Sequence, residues 1–237
     1  MNLKKIKINE NLYNLYFKKN VFKPTATTSF LLTALIDKNK KINKKKILDL
    51  GCGSGIVSVV INSKYNNNFF YASDLDKDSF DTTIKNFKKF KIRGSVKKGN
   101  LLEPWFDKKF DYIINDISGI SSTIAKKSTW FRNIPSNTGV DGTKLTITII
   151  KELSKHLSKN GKAYLPIISL SNTKKVLNVA KKYFKKIKVI SNDKWFLPAD
   201  LEKYKTILLK LKKNKQIDFD YKFGKYICYT KIIELKN

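Results

Sequence analysis

The sequence predicts a doubly wound α/β fold: a mostly parallel sheet of seven strands, helices on both faces, and a helical insertion before the last strand. Three observations predict it. Short β-rich apolar segments alternate with helical ones, the pattern of a parallel sheet covered by helices. A buried strand at 46–50 runs directly into the alternate glycines Gly51, Gly53 and Gly55. Finally, a chain of 237 residues that is 41% hydrophobic can bury one full core despite a net charge of +30, which excludes a disordered chain.

The elements follow in order. The strand at 46–50 (KILDL) ends in the glycine-rich turn, and 68–73 (NFFYAS) is a second strand. A helix follows from near Asp78 to Lys91, then a short third strand at 95–98 and a strong fourth at 110–117 (FDYIINDI). Between 141 and 159, Leu145, Ile149, Ile150, Leu153 and Leu157 form a helical stripe that Asn160-Gly161 is expected to close. A fifth strand at 162–170, a helix at 172–184 and a sixth strand at 187–191 come next. Leu201, Tyr204, Leu208 and Leu211 repeat at helical spacing, and 225–235 is a terminal strand after a turn at Gly224. Residues 1–45 read as an N-terminal cap or substrate segment ahead of a ligand-binding domain over 46–237.

Composition removes several function classes. Cys52 and Cys228 are too few for a disulfide framework and have no metal-ligand spacing. No apolar run approaches the roughly 18 residues of a membrane span, and 1–10 lacks the apolar centre of a signal peptide. The expectation is a cytoplasmic protein, monomeric, with no membrane and no metal. Arg93 and Arg132 are the only arginines, and the excess of Lys, Asn and Ile is what AT-rich codons produce. The charge is therefore weak evidence for nucleic acid, although its positive field favours RNA, ribosomes or acidic proteins. His156 is the single histidine and lies inside a helix without a partner motif, so it reads as a packed or solvated residue.

The chemistry is concentrated in Asp49-Leu50-Gly51-Cys52-Gly53-Ser54-Gly55. Its glycines allow a tight turn and let a ligand lie directly against the backbone. Dinucleotide binding requires G-x-G-x-x-G, and Ile56 breaks that spacing. The second strand ends at Asp74, where a carboxylate can accept both ribose hydroxyls of a nucleoside lying across the strand ends. Of Asp74, Asp76 and Asp78, the last is expected to cap the following helix. Cys52 fills a turn that needs only a small side chain and is not read as a nucleophile.

The run D-x-G-x-G-x-G resembles motif I of class I S-adenosylmethionine (SAM)-dependent methyltransferases, and Gly99-Asn100-Leu101-Leu102-Glu103-Pro104 resembles a segment of their HemK-type, release factor glutamine methyltransferase-like, group. There an aspartate takes the adenine amino group. Asn100 stands in its place, with an amide oxygen that can accept the same bond. Asn115-Asp116-Ile117-Ser118 occupies the position of the Asn-Pro-Pro-Tyr motif of enzymes that methylate planar nitrogens. Asn115 matches the motif, Asp116 and Ile117 replace the prolines, and Ser118 replaces the stacking aromatic. Val21-Phe22-Lys23-Pro24, then Thr25 to Thr28 and a helix, resembles the group's V-[FY]-x-P stretch, with Thr27 or Thr28 as the cap. The stretch from Ile134-Pro135 to Asp141-Gly142 resembles its glycine–aspartate loop.

This resemblance, spanning roughly residues 20–190, implies a SAM site formed by Asp49, Gly51, Cys52, Gly53, Gly55, Asp74, Leu75, Asn100, Leu101, Asn115, Pro24 and Thr28. It implies that Asn115 and Asp116 hold the acceptor, with Asp116 orienting or deprotonating it. The expected function is SAM-dependent methylation of a nitrogen on a translation-related macromolecule, a ribosomal or other protein side chain or RNA. The alternative is a SAM-fold RNA-binding protein without catalysis. Trp130-Phe131-Arg132 reads equally as a platform for a substrate ring or as a packing anchor, and Trp195-Phe196-Leu197-Pro198 chiefly as core.

Overall fold

In the computed structural model, residues 1–117, 119–131 and 138–237 are described. Ser118, Arg132, Ile134 and Pro135 lie outside them. A feature that the sequence reading did not assign opens the chain. β1 (Asn2–Ile8) and β2 (Asn11–Phe17) form an antiparallel hairpin, with Asn9 left-handed at φ 51° in its turn. The Lys/Ile alternation of the first strand is its signature: Ile8, Leu15 and Phe17 are buried, as a half-covered ribbon requires.

The remaining elements are α1 (Ala26–Lys38), β3 (Lys46–Leu50), α2 (Ile56–Lys64), β4 (Phe69–Asp74), α3 (Lys77–Lys89), β5 (Gly94–Lys98), β6 (Phe110–Asn115), α4 (Ser122–Ala125), α5 (Lys144–His156), β7 (Leu157–Ile168), α6 (Thr173–Tyr183), β8 (Lys186–Phe196), α7 (Ala199–Glu202), α8 (Lys205–Lys213), β9 (Asp220–Lys222) and β10 (Lys225–Lys236). The sheet order is β5-β4-β3-β6-β7-β10-β8, with the short β9 beside β10. Strands β5, β4, β3, β6 and β7 pair in parallel, and β10 runs antiparallel between β7 and β8. This is the expected doubly wound sheet of seven strands, with β9 as an addition.

Side chains alternate across the sheet and build two layers. Ile47, Tyr112 and Ile114 face a core with α1, α2 and the hairpin, centred on Leu31, Leu35, Val59 and Leu15. Leu48, Leu50 and Ile113 face the opposite core with Ile149, Leu153 and Val176 of α5 and α6. A third cluster under the α7–α8 insertion joins Leu201, Leu208 and Leu211 to Phe219, Tyr226 and Cys228. His156 is buried, with Nδ1 3.1 Å from the Lys108 carbonyl oxygen. No helix among the described residues is long and apolar enough to cross a membrane.

Several boundaries differ from expectation for local reasons. The helix expected to reach 159 ends at His156, and Asn160-Gly161 lies within β7. A Cβ on Gly161 would come within 2.7 Å of the Phe110 carbonyl oxygen, so this glycine serves a close strand approach rather than a helix stop. The apolar repeat from 201 to 211 is split into α7 and α8 at Tyr204, whose backbone is non-helical. The cap of α3 is Asp76, which accepts the Ser79 N–H at 2.7 Å, not Asp78. Asp78 sits in the first turn and pairs with Lys18 at 3.0 Å. At α1 the N-cap is Thr25, whereas Thr28 stands three residues in and accepts the Thr25 N–H at 3.2 Å.

Candidate active site at the carboxyl ends of the parallel strands

The strand ends converge on the glycine turn. After β3, the Gly51 and Cys52 N–H groups donate to the Ser73 carbonyl at 2.9 and 3.0 Å, clamping the turn to β4. Gly51 and Gly53 both adopt left-handed φ, 68° and 54°, for different reasons. A Cβ on Gly51 would lie 2.4 Å from Ile117 Cγ1, so the loop after β6 packs directly onto it. A Cβ on Gly53 would meet nothing closer than the Phe22 carbonyl oxygen at 4.0 Å. Gly53 therefore leaves an open cradle against exposed backbone, and the chain segment before α1 forms its rim. Gly55 completes the turn and starts α2.

Three carboxylates surround this turn. Asp49 is buried; one oxygen accepts the Ser58 N–H and hydroxyl at 3.1 and 2.8 Å, and Oδ1 is buried without a hydrogen-bond partner among the described residues. Burial pushes the Asp49 carboxyl up to about 7, with the charges of Asp116 and Asp74 adding to the rise. Asp74 accepts the Gly53 N–H at 2.9 Å and the Asp76 N–H at 3.0 Å. Its burial raises its pKa above the usual range against those two donors. Asp116 sits just past β6 and accepts the Thr28 hydroxyl at 2.6 Å. Desolvation raises it to about 7, opposed by that one hydrogen bond. Burial is the leading cause of all three rises, with repulsion from Asp116 and Asp74 added only at Asp49, and a cationic ligand would favour the ionised carboxylates.

The other expected residues lie at the same end of the sheet, in differing states. Asn115 is buried and bonded to its own loop: its Nδ2 donates to the Ile117 carbonyl at 3.2 Å, and its Oδ1 accepts the Ile117 N–H at 3.3 Å. Asn100 is turned toward Glu103, donating at 2.9 Å. Leu75, directly after Asp74, is 65% exposed, an apolar side chain left uncovered beside the cradle. Leu101 is left-handed at φ 48° and its carbonyl accepts the Ser73 hydroxyl at 3.2 Å. Pro24 leads into α1. Cys52 is buried, accepts the Thr83 hydroxyl at 3.3 Å, and burial holds its thiol well above the ordinary value, the opposite of a nucleophile.

Two supporting features escaped the sequence reading. Asn86 is fully buried; its Oδ1 accepts the Tyr16 N–H at 2.8 Å, while its Nδ2 donates to the Tyr16 and Ser54 carbonyls at 3.1 and 2.8 Å. It fastens the hairpin to the glycine turn, and only the tertiary structure reveals this, since an asparagine in a helix carries no positional signal. A cavity of about 240 Å³ also opens beside the first turn of α1, walled by Phe22, Phe30, Trp130 and Trp195, with Asp193 and Thr230. The two tryptophans were legible as aromatic motifs; their convergence was not.

Comparison with known proteins agrees with this fold. Residues 14–116 match the family described as the methyltransferase small domain. The release factor glutamine methyltransferase of Clostridium botulinum is 32% identical over 107 residues, which cover 44% of this chain and 38% of that protein. The tRNA1(Val) (adenine(37)-N6)-methyltransferase of Actinobacillus pleuropneumoniae is 30% identical over 105 residues, 43% of each chain. Among solved structures, the T. thermophilus 16S rRNA N2 methyltransferase RsmC, in complex with AdoMet and guanosine, superposes with a TM-score of 0.67 at 13% identity. That match covers all of this chain and 50% of the other. The chain thus spans half or less of the length of these relatives. Residues 14–116 are therefore similar to the methyltransferase small domain family, and the fold is that of the class I, Rossmann-like methyltransferases.

Proposed function

We propose that the strand-end cleft binds SAM and that the chain transfers its methyl group to a nitrogen of a translation-related macromolecule. The observation that carries this reading is the open Gly53 cradle with Asp49, Asp74 and Asp116 around its turn. A ligand with a sulfonium and an ammonium group offsets that clustered negative charge, and the orphaned Asp49 Oδ1 gains from the same field. In this reading Asp74 accepts the ribose hydroxyls, and Leu75, Asn100 and Leu101 border the adenine. Gly51, Cys52, Gly53 and Gly55 present backbone. Pro24 and Thr28 belong to the rim and the first turn of α1. The relatives methylate, by their names, a release factor glutamine and a tRNA adenine N6, which supports a nitrogen acceptor.

Bound SAM supplies an electrophilic methyl group. The chain's own residues align the acceptor, for which orientation supplies most of the rate. Asn115 and Asp116 stand at the end of β6, where an acceptor N–H can be received by a carboxylate oxygen. With its carboxyl at about 7, Asp116 can hold or take a proton near neutral pH. The Thr28 hydroxyl fixes its orientation. Calorimetry with SAM and with NAD tests the ligand: micromolar SAM binding is expected, and NAD binding without SAM binding overturns the reading. Asp74→Ala removes the acceptor of the Gly53 N–H and should weaken SAM by roughly 1–3 kcal/mol. Transfer of labelled methyl to ribosomal extract, abolished in Asp116→Ala, tests the chemistry. SAM binding without any transfer would favour the non-catalytic RNA-binding alternative.

A further inference from the structure

The aromatic cavity beside α1 is not accounted for by SAM binding. Trp130 and Trp195 meet edge to face at 5.9 Å and 66°, and the Trp195 indole N–H donates to the Thr230 hydroxyl at 3.0 Å, fixing that ring. Phe22 and Phe30 line the same cavity. Asp193 precedes Trp195 by two residues on β8, so both project from one face of the strand. In a chain with 49 Lys and Arg against 19 Asp and Glu, the exposed Asp193 side chain makes no hydrogen bond or ion pair among the described residues, while its backbone pairs with Thr230 of β10. An unpaired carboxylate among aromatic rings presents acceptors to a planar group that carries N–H donors on its edge.

The cavity also adjoins the proposed chemistry. Thr25, Ala26 and Thr27 line it, and the next residue, Thr28, donates to Asp116. A second cleft of about 570 Å³ opens just past the end of β7, lined by Ser171 and by the exposed Lys174, Lys182 and Lys215. Ile168, three residues before Ser171, lines the aromatic cavity. Aromatic faces, a free acceptor and neighbouring lysines together match an unstacked base with its phosphates. A glutamine amide offers no ring to fill four aromatic walls.

Resting on the methyl-transfer reading above, we propose that this cavity receives a nucleobase swung out of single-stranded RNA: the base lies among Phe22, Phe30, Trp130 and Trp195, its N–H edge on Asp193, and flanking phosphates reach the lysine cleft. The test titrates the full chain with a short single-stranded oligoribonucleotide of mixed sequence and follows tryptophan emission. Trp105, the third tryptophan, is fully buried, so quenching reports on Trp130 and Trp195. Asp193→Asn is decisive because of its sign. Deleting an ordinary surface carboxylate reduces repulsion of phosphate and tightens RNA binding. The proposed contact predicts the reverse, a loss of roughly ten-fold, and Trp130→Ala should weaken binding by a similar factor and remove part of the quench. Unchanged or tighter binding by Asp193→Asn overturns the proposal. So does labelled methyl that enters only protease-sensitive material from ribosomal extract, which would leave the methyl-transfer reading intact. Oligonucleotide quenching with no SAM binding would instead overturn the methyl-transfer reading alone.

Discussion

Asp116→Asn should make the ligand-free protein more stable at pH 8 while disabling its chemistry. Asp116 is an ordinary carboxylate near 4 in the unfolded chain and is raised to about 7 by burial in the folded one. Below about pH 4 both states are protonated and the carboxylate contributes nothing. As pH rises from about 4 to 7, the unfolded chain releases the proton while the folded one retains it, so the folded state progressively loses stability. Above about pH 7 the full cost persists, at most roughly 4 kcal/mol from the span between the two values. Asparagine preserves shape and still accepts the Thr28 hydroxyl, and it also removes a charge that raises Asp49. With partial relaxation of the site, a gain of roughly 1–3 kcal/mol at pH 8 is expected. That corresponds to roughly 2–4 °C in Tm for each kcal/mol in a chain of this size. The assay is urea and thermal unfolding of parent and variant at pH 4, 6 and 8, paired with single-turnover methyl transfer at pH 8. The expected result is equal stability at pH 4, a widening gap toward pH 8, and transfer lower by about 10²-fold or more. A variant less stable than the parent at pH 8, or a gap independent of pH, would refute the carboxylate's placement in a desolvated cluster.

Gly53→Val should fold, because its Cβ would meet nothing nearer than 4.0 Å, at a cost of about 1–2 kcal/mol for the left-handed backbone. It should abolish SAM binding by calorimetry; parent-like affinity would displace the ligand from the cradle. Asn86→Ala should destabilise by roughly 2–4 kcal/mol, since it orphans the Tyr16 backbone and the Ser54 carbonyl. Limited proteolysis should then cut first within the β1–β2 hairpin, and unchanged resistance there would show that other contacts fasten the hairpin.

By itself, the sequence determined the sheet and which groups stand at the ends of its strands. Periodicity marked seven strands, and the β3 bounds were read without error because Lys46 to Leu50 is a short apolar run bounded by lysines and glycine. The positions of Asp49, Gly53, Asp74 and Asp116 at the strand ends, which make them candidates for the proposed site, were legible because strand-to-turn chemistry is local: a glycine spacing and a carboxylate at a strand end are visible in a few residues. Contacts between distant segments were not. The Asn86 bridge to Tyr16 and Ser54, the Thr28 hydroxyl on Asp116, and the meeting of Trp130 with Trp195 span 32 to 88 residues of chain, and nothing local encodes them. Tertiary structure also overruled local signals. Asn160-Gly161 carries the composition of a helix stop yet lies in β7, because only a glycine lets that backbone approach Phe110. Asp76 rather than Asp78 is the cap because α3 already starts at Lys77, which leaves Asp78 inside the first turn, where it and Asp81 pair with Lys18 just past β2. Local chemistry fixes which groups each strand end presents, and long-range packing alone decides which of them face one another.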